Sequence, residues 1–440
     1  MNISGLEQYR RTLLGLAGGV PTRFSLARGN PALTVGQWLI AAFAQDEWRV
    51  RQHFLLSLGV RYEAQTTPTN LISLAPRVGI AFSPDKKKHW VLRARAGVFY
   101  DRIGDALTLE AHRLDGVRQQ QIIIASPSFP NPFIGATSLD VIPIVRRLDE
   151  ALRPPASLQL QIGFEHQLPR GWKIEVSHYW TYGSSSLRSR NINAPQIVAG
   201  VDPLLAPRPL GIRENILQFE SSGKIGGRVL FIGVNQSASK YFSLFIGYLN
   251  FDFRTNADTP FLLPQSSYDM SGEWARPFWQ SRHRVFLVST VNLPFKLRAS
   301  VLFNAASGTP FNITTGRDNN GDSNFNDRPS VVDAANPQAI VTQFGALDPT
   351  AVNGTLSRNA GTNPPTTTLD LNLSRAFTFG KKVGATEGRY KLMLNARASN
   401  LLNHTNVIGG LNGVLASPFF GRANAAAPAR RIEFGLRLSF

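Results

Sequence analysis

The sequence predicts an all-β chain: an antiparallel sheet of long strands, each with one apolar and one polar face. Three observations predict it. Strict alternation of apolar and polar residues recurs along the chain, the alternating stretches run about ten residues, and the connections between them alternate between short and long. The last stretch, "RRIEFGLRLSF", shows the pattern most clearly: Ile432, Phe434, Leu436, Leu438 and Phe440 share one parity, while Arg431, Glu433, Gly435, Arg437 and Ser439 share the other.

Composition narrows what such a sheet can be. The chain has 440 residues, 43% of them hydrophobic, which suffices for one large barrel or for one to three soluble domains. It has no cysteine, so disulfide frameworks, thiolate metal sites and cysteine nucleophiles are excluded. No apolar run approaches the roughly 18 residues that a membrane-spanning helix needs. The formal net charge is +18, but the arginines are spread at strand-like spacing, as in "WVLRARAGVFYD", and not gathered into a basic helix or tail. A polar barrel wall accounts for them, and no nucleic-acid partner is expected.

In chain order, "HFLLSLGVRYE" sets Phe54, Leu56, Leu58, Val60 and Tyr62 against Ser57, Gly59, Arg61 and Glu63. "WVLRARAGVFY" sets Trp90, Leu92 and Ala94 against Arg93, Arg95 and Gly97. "LQLQIGFEHQL" sets Leu160 and Ile162 against Gln159 and Gln161, and "TLDLNLSR" sets Leu369 and Leu371 against Asp370 and Asn372. About thirteen crossings result, near 37–50, 53–64, 75–83, 89–101, 156–168, 171–183, 227–238, 240–254, 282–292, 296–307, 366–379, 388–401 and 430–440. The stretch 227–254 alternates ambiguously.

The connections separate a membrane barrel from a soluble sandwich used for adhesion. Short turns such as "SPDKKKH", "LPRG", "SASK" and "NLPFK" alternate with longer connections: "AQTTPTNLISLAP", 101–155, 183–226, 255–282, 307–366 and 403–429. Transmembrane barrels combine short periplasmic turns with long extracellular loops, and aromatics such as Trp48, Tyr62, Trp90, Tyr100, Trp172 and Trp180 stand at strand ends, where interfacial girdles sit. Leu56, Leu92, Ile162 and Leu371 are then expected to face lipid. Arg61, Arg93, Arg95, Gln161 and Asp370 are expected to face the lumen. An odd count of strands ending in the periplasm requires the first to start outside, so the sheet is expected to be partial and open or imperfectly closed. Residues 1–36 are read as the remnant of an extracellular loop and 37–440 as the C-terminal part of a barrel. The closing strand, with Phe434, Leu438 and Phe440, resembles the signal by which the barrel-assembly machinery recognises outer-membrane proteins.

Several stretches resemble one family. "AAFAQDEWRV", "LLSLGVRYE", "APRVGIAFSP" and "VLRARAGVFYDRI" resemble the barrel of TonB-dependent outer-membrane receptors, and "LRSRNINAP", "SGTPFNITTGRDNNGDSNFNDRP" and "NLLNHTN" resemble its Oar-like branch. The resemblance implies a bacterial outer-membrane location, contact with outer-membrane lipid and a 22-stranded barrel around a plug domain. It further implies energy coupling through the TonB complex in a full-length parent, with uptake or surface recognition of an unidentified ligand. Surface adhesion or secretion is the alternative function. Against the family pattern, the chain has no plug domain, no TonB-contacting segment and about nine fewer strands, so it is expected to be a fragment.

One stretch has ligand-like spacing. In "GRDNNGDSNFNDRP", Asp318, Asn320 and Asp322 are two apart, as at the start of a calcium loop, and Asn324, Asn326 and Asp327 offer further oxygens. Ser323 stands where such loops carry a glycine, and Pro329 where they carry a bidentate glutamate. The competing reading is a polar turn whose Asn and Asp side chains bond their own backbone. The seven histidines show no ligand spacing. No Ser/His/carboxylate arrangement stands out, so no enzymatic activity is expected, and no cofactor beyond a loop Ca2+.

Overall fold

The computed structural model describes residues 5–85, 87, 89–136, 141–382 and 388–439. Its main element is a 16-stranded sheet. Thirteen of these strands follow one another as an antiparallel wall: β1 (Leu39–Arg51), β2 (Phe54–Thr66), β3 (Thr69–Phe82), β4 (Trp90–Tyr100), β5 (Ala156–Gln167), β6 (Trp172–Asn191), β7 (Asn215–Gln236), β8 (Phe242–Thr255), β9 (His283–Leu293), β10 (Leu297–Ala306), β11 (Thr366–Lys382), β12 (Gly388–Ser399) and β13 (Arg431–Ser439). The barrel is not closed. Among the described residues β1 pairs in the wall only with β2, and β13 only with β12. No helix among the described residues is long and apolar enough to cross a membrane.

Paired residues share a face, so the registers trace one side of the wall from end to end. Arg95 pairs with Gly79 and Gln161, Gln161 with Tyr179, and Tyr179 with Val229. The same side continues through Phe251 to the Arg284 parity of β9 and on to Asp370, Arg397 and Glu433. The opposite side carries Leu56, Leu92, Ile162, Leu371 and Phe434. It is widely exposed: Ile162 is 58% and Phe434 84% accessible. Exposed aliphatic and aromatic side chains over a whole sheet face suit lipid.

Three local features differ from the sequence expectation. "AQTTPTNLISLAP" is no loop: β2 runs to Thr66 and β3 starts at Thr69, with two residues between. The stretch 183–226, expected as a long loop, is strand at both ends. β6 continues to Asn191 and β7 begins at Asn215, with register shifts between Glu220 and Ile225. Residues 215–220 are buried on both faces, so no period of two marks them. Finally, the polar side of the wall turns aromatic at β7–β9. Gly233 pairs with Gly247, and a Cβ on Gly247 would overlap the Phe286 ring; the rings of Phe245 and Phe286 lie 5.5 Å apart over this glycine floor.

The long connections all leave the same end of the wall and are folded. Within 101–155, the helix Asp105–Arg113 precedes the strands Gln119–Ala125 and Val141–Leu148. Arg23–Gly29 pairs with Gln119–Ala125, which pairs with Val141–Leu148, and that strand runs parallel to the start of β7. Residues 1–36, read as a loop remnant, thus place a strand in this extension and a helix, Gly5–Leu13, before it. A separate apolar cluster, Ile313, Leu347 and Leu415 with Phe311, Phe344 and Phe420 around it, holds the last two long connections together.

Candidate functional site

The folded connections enclose a cavity of about 750 Å³. Its walls come from Arg23–Gly29, Gln119–Ala125, Val141–Leu148, the start of β7, the end of β6 and the connections 256–282, 307–365 and 400–430. Five arginines (Arg23, Arg146, Arg188, Arg328, Arg358) and three carboxylates (Asp258, Glu273, Asp322) line it, and two of the arginines have partners just behind the lining, Arg146 with Glu110 at 2.9 Å and Arg188 with Glu220 at 3.7 Å.

Buried ion pairs set its floor. Glu273, 2% exposed, receives Arg328 Nη1 on Oε1 at 2.7 Å and stands 3.4 Å through Oε2 from Arg358 Nε. Arg358 also pairs with Asp258, whose Oδ2 accepts Asn359 Nδ2 at 2.8 Å. Burial pushes the Asp258 carboxyl above its usual range, against the pull of Arg358. Glu220 similarly joins Arg190 at 3.1 Å and Arg188 at 3.7 Å. Charges this deep persist only when paired and hydrogen-bonded, so the network holds connections 256–282 and 307–365 in one arrangement. Sequence reasoning missed it: its members are single charges in aperiodic segments, and no spacing rule joins them.

Asp318, Asn320 and Asp322 come together in a tight acidic turn on the same cavity's wall. Asp318 accepts the amides of Asp322 and Ser323 at 3.1 and 2.8 Å, Asn320 Oδ1 accepts the Asp322 amide at 3.0 Å, and Asp322 Oδ1 accepts that of Asn324 at 2.8 Å. Asp327 folds back across the turn so that Oδ2 accepts the Asn319 amide at 2.7 Å. Burial, reinforced by Asp318 and Asp327, holds Asp322 well above the carboxylate range. Burial also raises Asp318, and pushes Asp327 up to about 7. Among the described residues no three His, Asp or Glu side chains converge as a ligand set by themselves. Any cation held here would therefore also use amide and main-chain oxygens.

The structure places Arg61, Arg93, Arg95, Gln161 and Asp370 on one side of the wall and brings only some of them together. Arg93, Arg95 and Gln161 border a second hollow of about 490 Å³ on the polar side of β1–β6. Arg93 pairs with Glu165, and Gln161 Nε2 donates to Tyr179 Oη at 2.9 Å. Arg61 lies apart, paired with Glu63. Asp370 accepts the Asn400 amide at 2.9 Å and so secures the end of β12. Phe434 and Leu438 lie on the exposed apolar side of β13; Phe440 lies outside the described residues.

Known proteins supply the context. Residues 4–73 and 67–433 match the family described as outer membrane beta barrel domain. No curated protein matches the chain. Among solved structures, the outer membrane transporter YddB from Escherichia coli is similar at 11% identity and a TM-score of 0.53, over 92% of this chain and 45% of that one. A mutant of the ferric enterobactin receptor PfeA from Pseudomonas aeruginosa is similar at 11% identity and a TM-score of 0.55, again over 92% and 45%. At such identities the likeness is one of fold. The chain spans less than half the length of either neighbour.

Proposed function

The chain belongs to the family of outer membrane beta barrel domains, and on that footing we propose that it forms the ligand-binding, C-terminal part of a TonB-dependent receptor of the Oar-like branch. It resides in the bacterial outer membrane, and its structural neighbours are transporters and receptors, not enzymes. The observation that supports the receptor reading is the arginine-lined cavity of about 750 Å³, formed by the long connections and the adjoining ends of β6 and β7. A hollow of that size suits a compact ligand of siderophore dimensions, and its guanidinium groups offer hydrogen-bond donors to such a ligand's oxygens. Energy coupling would come from the TonB complex acting on a full-length parent, the barrel-assembly machinery would insert the wall, and lipid would cover the apolar side.

Uptake by the producing bacterium tests this. With the gene intact, one of a panel of ferric siderophores, beginning with ferric enterobactin because PfeA is named for it, should accumulate. Accumulation should stop when the gene is deleted or the proton gradient is collapsed, and Arg23→Glu at the cavity wall should lower it at least about tenfold. Accumulation unaffected by gene deletion rejects the receptor. Surface binding that persists without any gradient-dependent uptake leaves recognition without transport.

A further inference from the structure

We propose that the turn Asp318–Asp327 is a Ca2+ site that locks three of the long connections together. The ordered oxygens are the first argument: two carboxylates and an amide two residues apart, with a third carboxylate folded back over them. The second argument is that buried oxygens at the turn lack partners. Asp327 is wholly buried, and while Oδ2 is bonded to Asn319, Oδ1 has no hydrogen-bond partner. Carboxylate geometry fixes Oδ1 beside Oδ2, inside the same turn. Its neighbour Asn326 donates Nδ2 to the carbonyls of Leu263 and Pro264 at 2.9 and 3.0 Å, which leaves Oδ1 buried and unpartnered too. Two orphaned acceptor oxygens on adjacent residues, beside the buried carboxylate of Asp322 and the half-buried one of Asp318, are costly unless a positive centre meets them.

The chemistry selects the ion. Every candidate ligand is an oxygen, which disfavours zinc and copper, and an irregular set of carboxylate, amide and main-chain oxygens suits the large, flexible shell of Ca2+ better than the strict octahedron of Mg2+. The turn also sits where a cation would matter. Asn215 Nδ2 reaches Asp322 O at 2.8 Å, Arg208 Nη2 reaches Gly321 O at 3.2 Å, and Asn320 Nδ2 reaches Gln265 O at 2.8 Å. Connections 192–214, 256–282 and 307–365 therefore meet at it, and a bound ion would order them.

The test uses the full chain, folded in lipid vesicles and stripped of metal. Titration with CaCl2 alone should show about one ion per chain, with a dissociation constant of roughly 10⁻⁵–10⁻³ M, and protease nicking within 307–365 should slow at least about fivefold. Asp322→Asn and Asp327→Asn should each weaken binding by about tenfold or more, whereas Asp115→Asn, in a different connection, should not. Asn324→Asp replaces a buried, unpartnered amide nitrogen with an oxygen, and should tighten binding about threefold. The proposal is overturned if the unmodified chain takes up no calcium at about 5 mM, a concentration above the range of weak extracellular sites, and its nicking is unchanged. It is equally overturned if Mg2+ acts at the same concentration, or if both Asp variants fold and bind as the parent does.

Discussion

Replacing Glu273 by glutamine leaves its shape in place and removes one buried negative charge. Glu273 is 2% exposed and shares its two oxygens between Arg328 and Arg358, which are themselves 4% and 8% exposed. After the change Asp258 is the one carboxylate still paired in this cluster, facing two guanidiniums. Breaking a buried pair by removing one partner costs about 3–5 kcal/mol. Glutamine still offers Arg328 an acceptor, which places the expectation at the lower end, about 3 kcal/mol. At about 1.4 kcal/mol per factor of ten, the open population of connections 256–282 and 307–365 should rise roughly a hundredfold. Protease nicking there reads that population when reclosing outruns cleavage. Glu433→Gln, in an exposed pair with Arg431, serves as the control and should change the rate by no more than about fivefold. A change below about threefold for Glu273→Gln, with the wall still resistant to unfolding, would mean that the network does not hold the connections.

Three other outcomes are expected. Cysteine at Arg95 should react with a water-soluble maleimide at least about tenfold faster than cysteine at Ile162 in lipid vesicles, since the two lie on opposite sides of the wall; equal rates reject the lipid assignment. Leu436→Arg, on the exposed apolar side of β13, should cost about 2–4 kcal/mol in refolding into bilayers, and a cost near zero would place that side in water. Gly247→Ala should cost about 1–3 kcal/mol and displace the Phe286 ring, because the new Cβ would overlap it; calorimetry and Phe286 accessibility measure both, and an unshifted ring argues against the glycine floor.

The wall was legible because its strands obey a period of two wherever one side meets lipid and the other water. Ile162 and Gln161 differ by one position and by the whole change of solvent, so the pattern survives without knowledge of any neighbour. The pattern fails where that contrast ends. Leu217 and Phe219 are buried, and so are Gln218 and Glu220 beside them, because folded connections cover both sides there; alternation then carries no signal and the segment reads as loop. Phe245 and Phe286 were hidden for another reason. Their place on the polar side depends on Gly233 and Gly247 in adjacent strands, a pairing visible only once the register is known. Of the candidate site, the spacing of Asp318, Asn320 and Asp322 could be read directly. The union of Glu273, Arg328 and Arg358 could not, since only the folding of separate connections brings them into contact.

The strands Arg23–Gly29, Gln119–Ala125 and Val141–Leu148 share one hydrogen-bonded sheet with β7, and this limits how descendants of this chain can vary. Gln121 pairs with both Ala27 and Ile144, and Ile144 with Asn215. Losing one residue from Gln119–Ala125 would turn its side chains to the opposite side and spoil the match with two partners at once. Changes in these segments are therefore tolerated in compensating sets, with strongly non-additive effects. The small sheet of Ser330–Val331, Ile340–Thr342 and Gly345–Asp348 pairs only within itself among the described residues. Its Leu347 is nevertheless buried against Ile313 and Leu415, so drift should concentrate on its exposed residues Val331, Ile340 and Val341, leaving Leu347 and the strands rooted in the wall to change slowly.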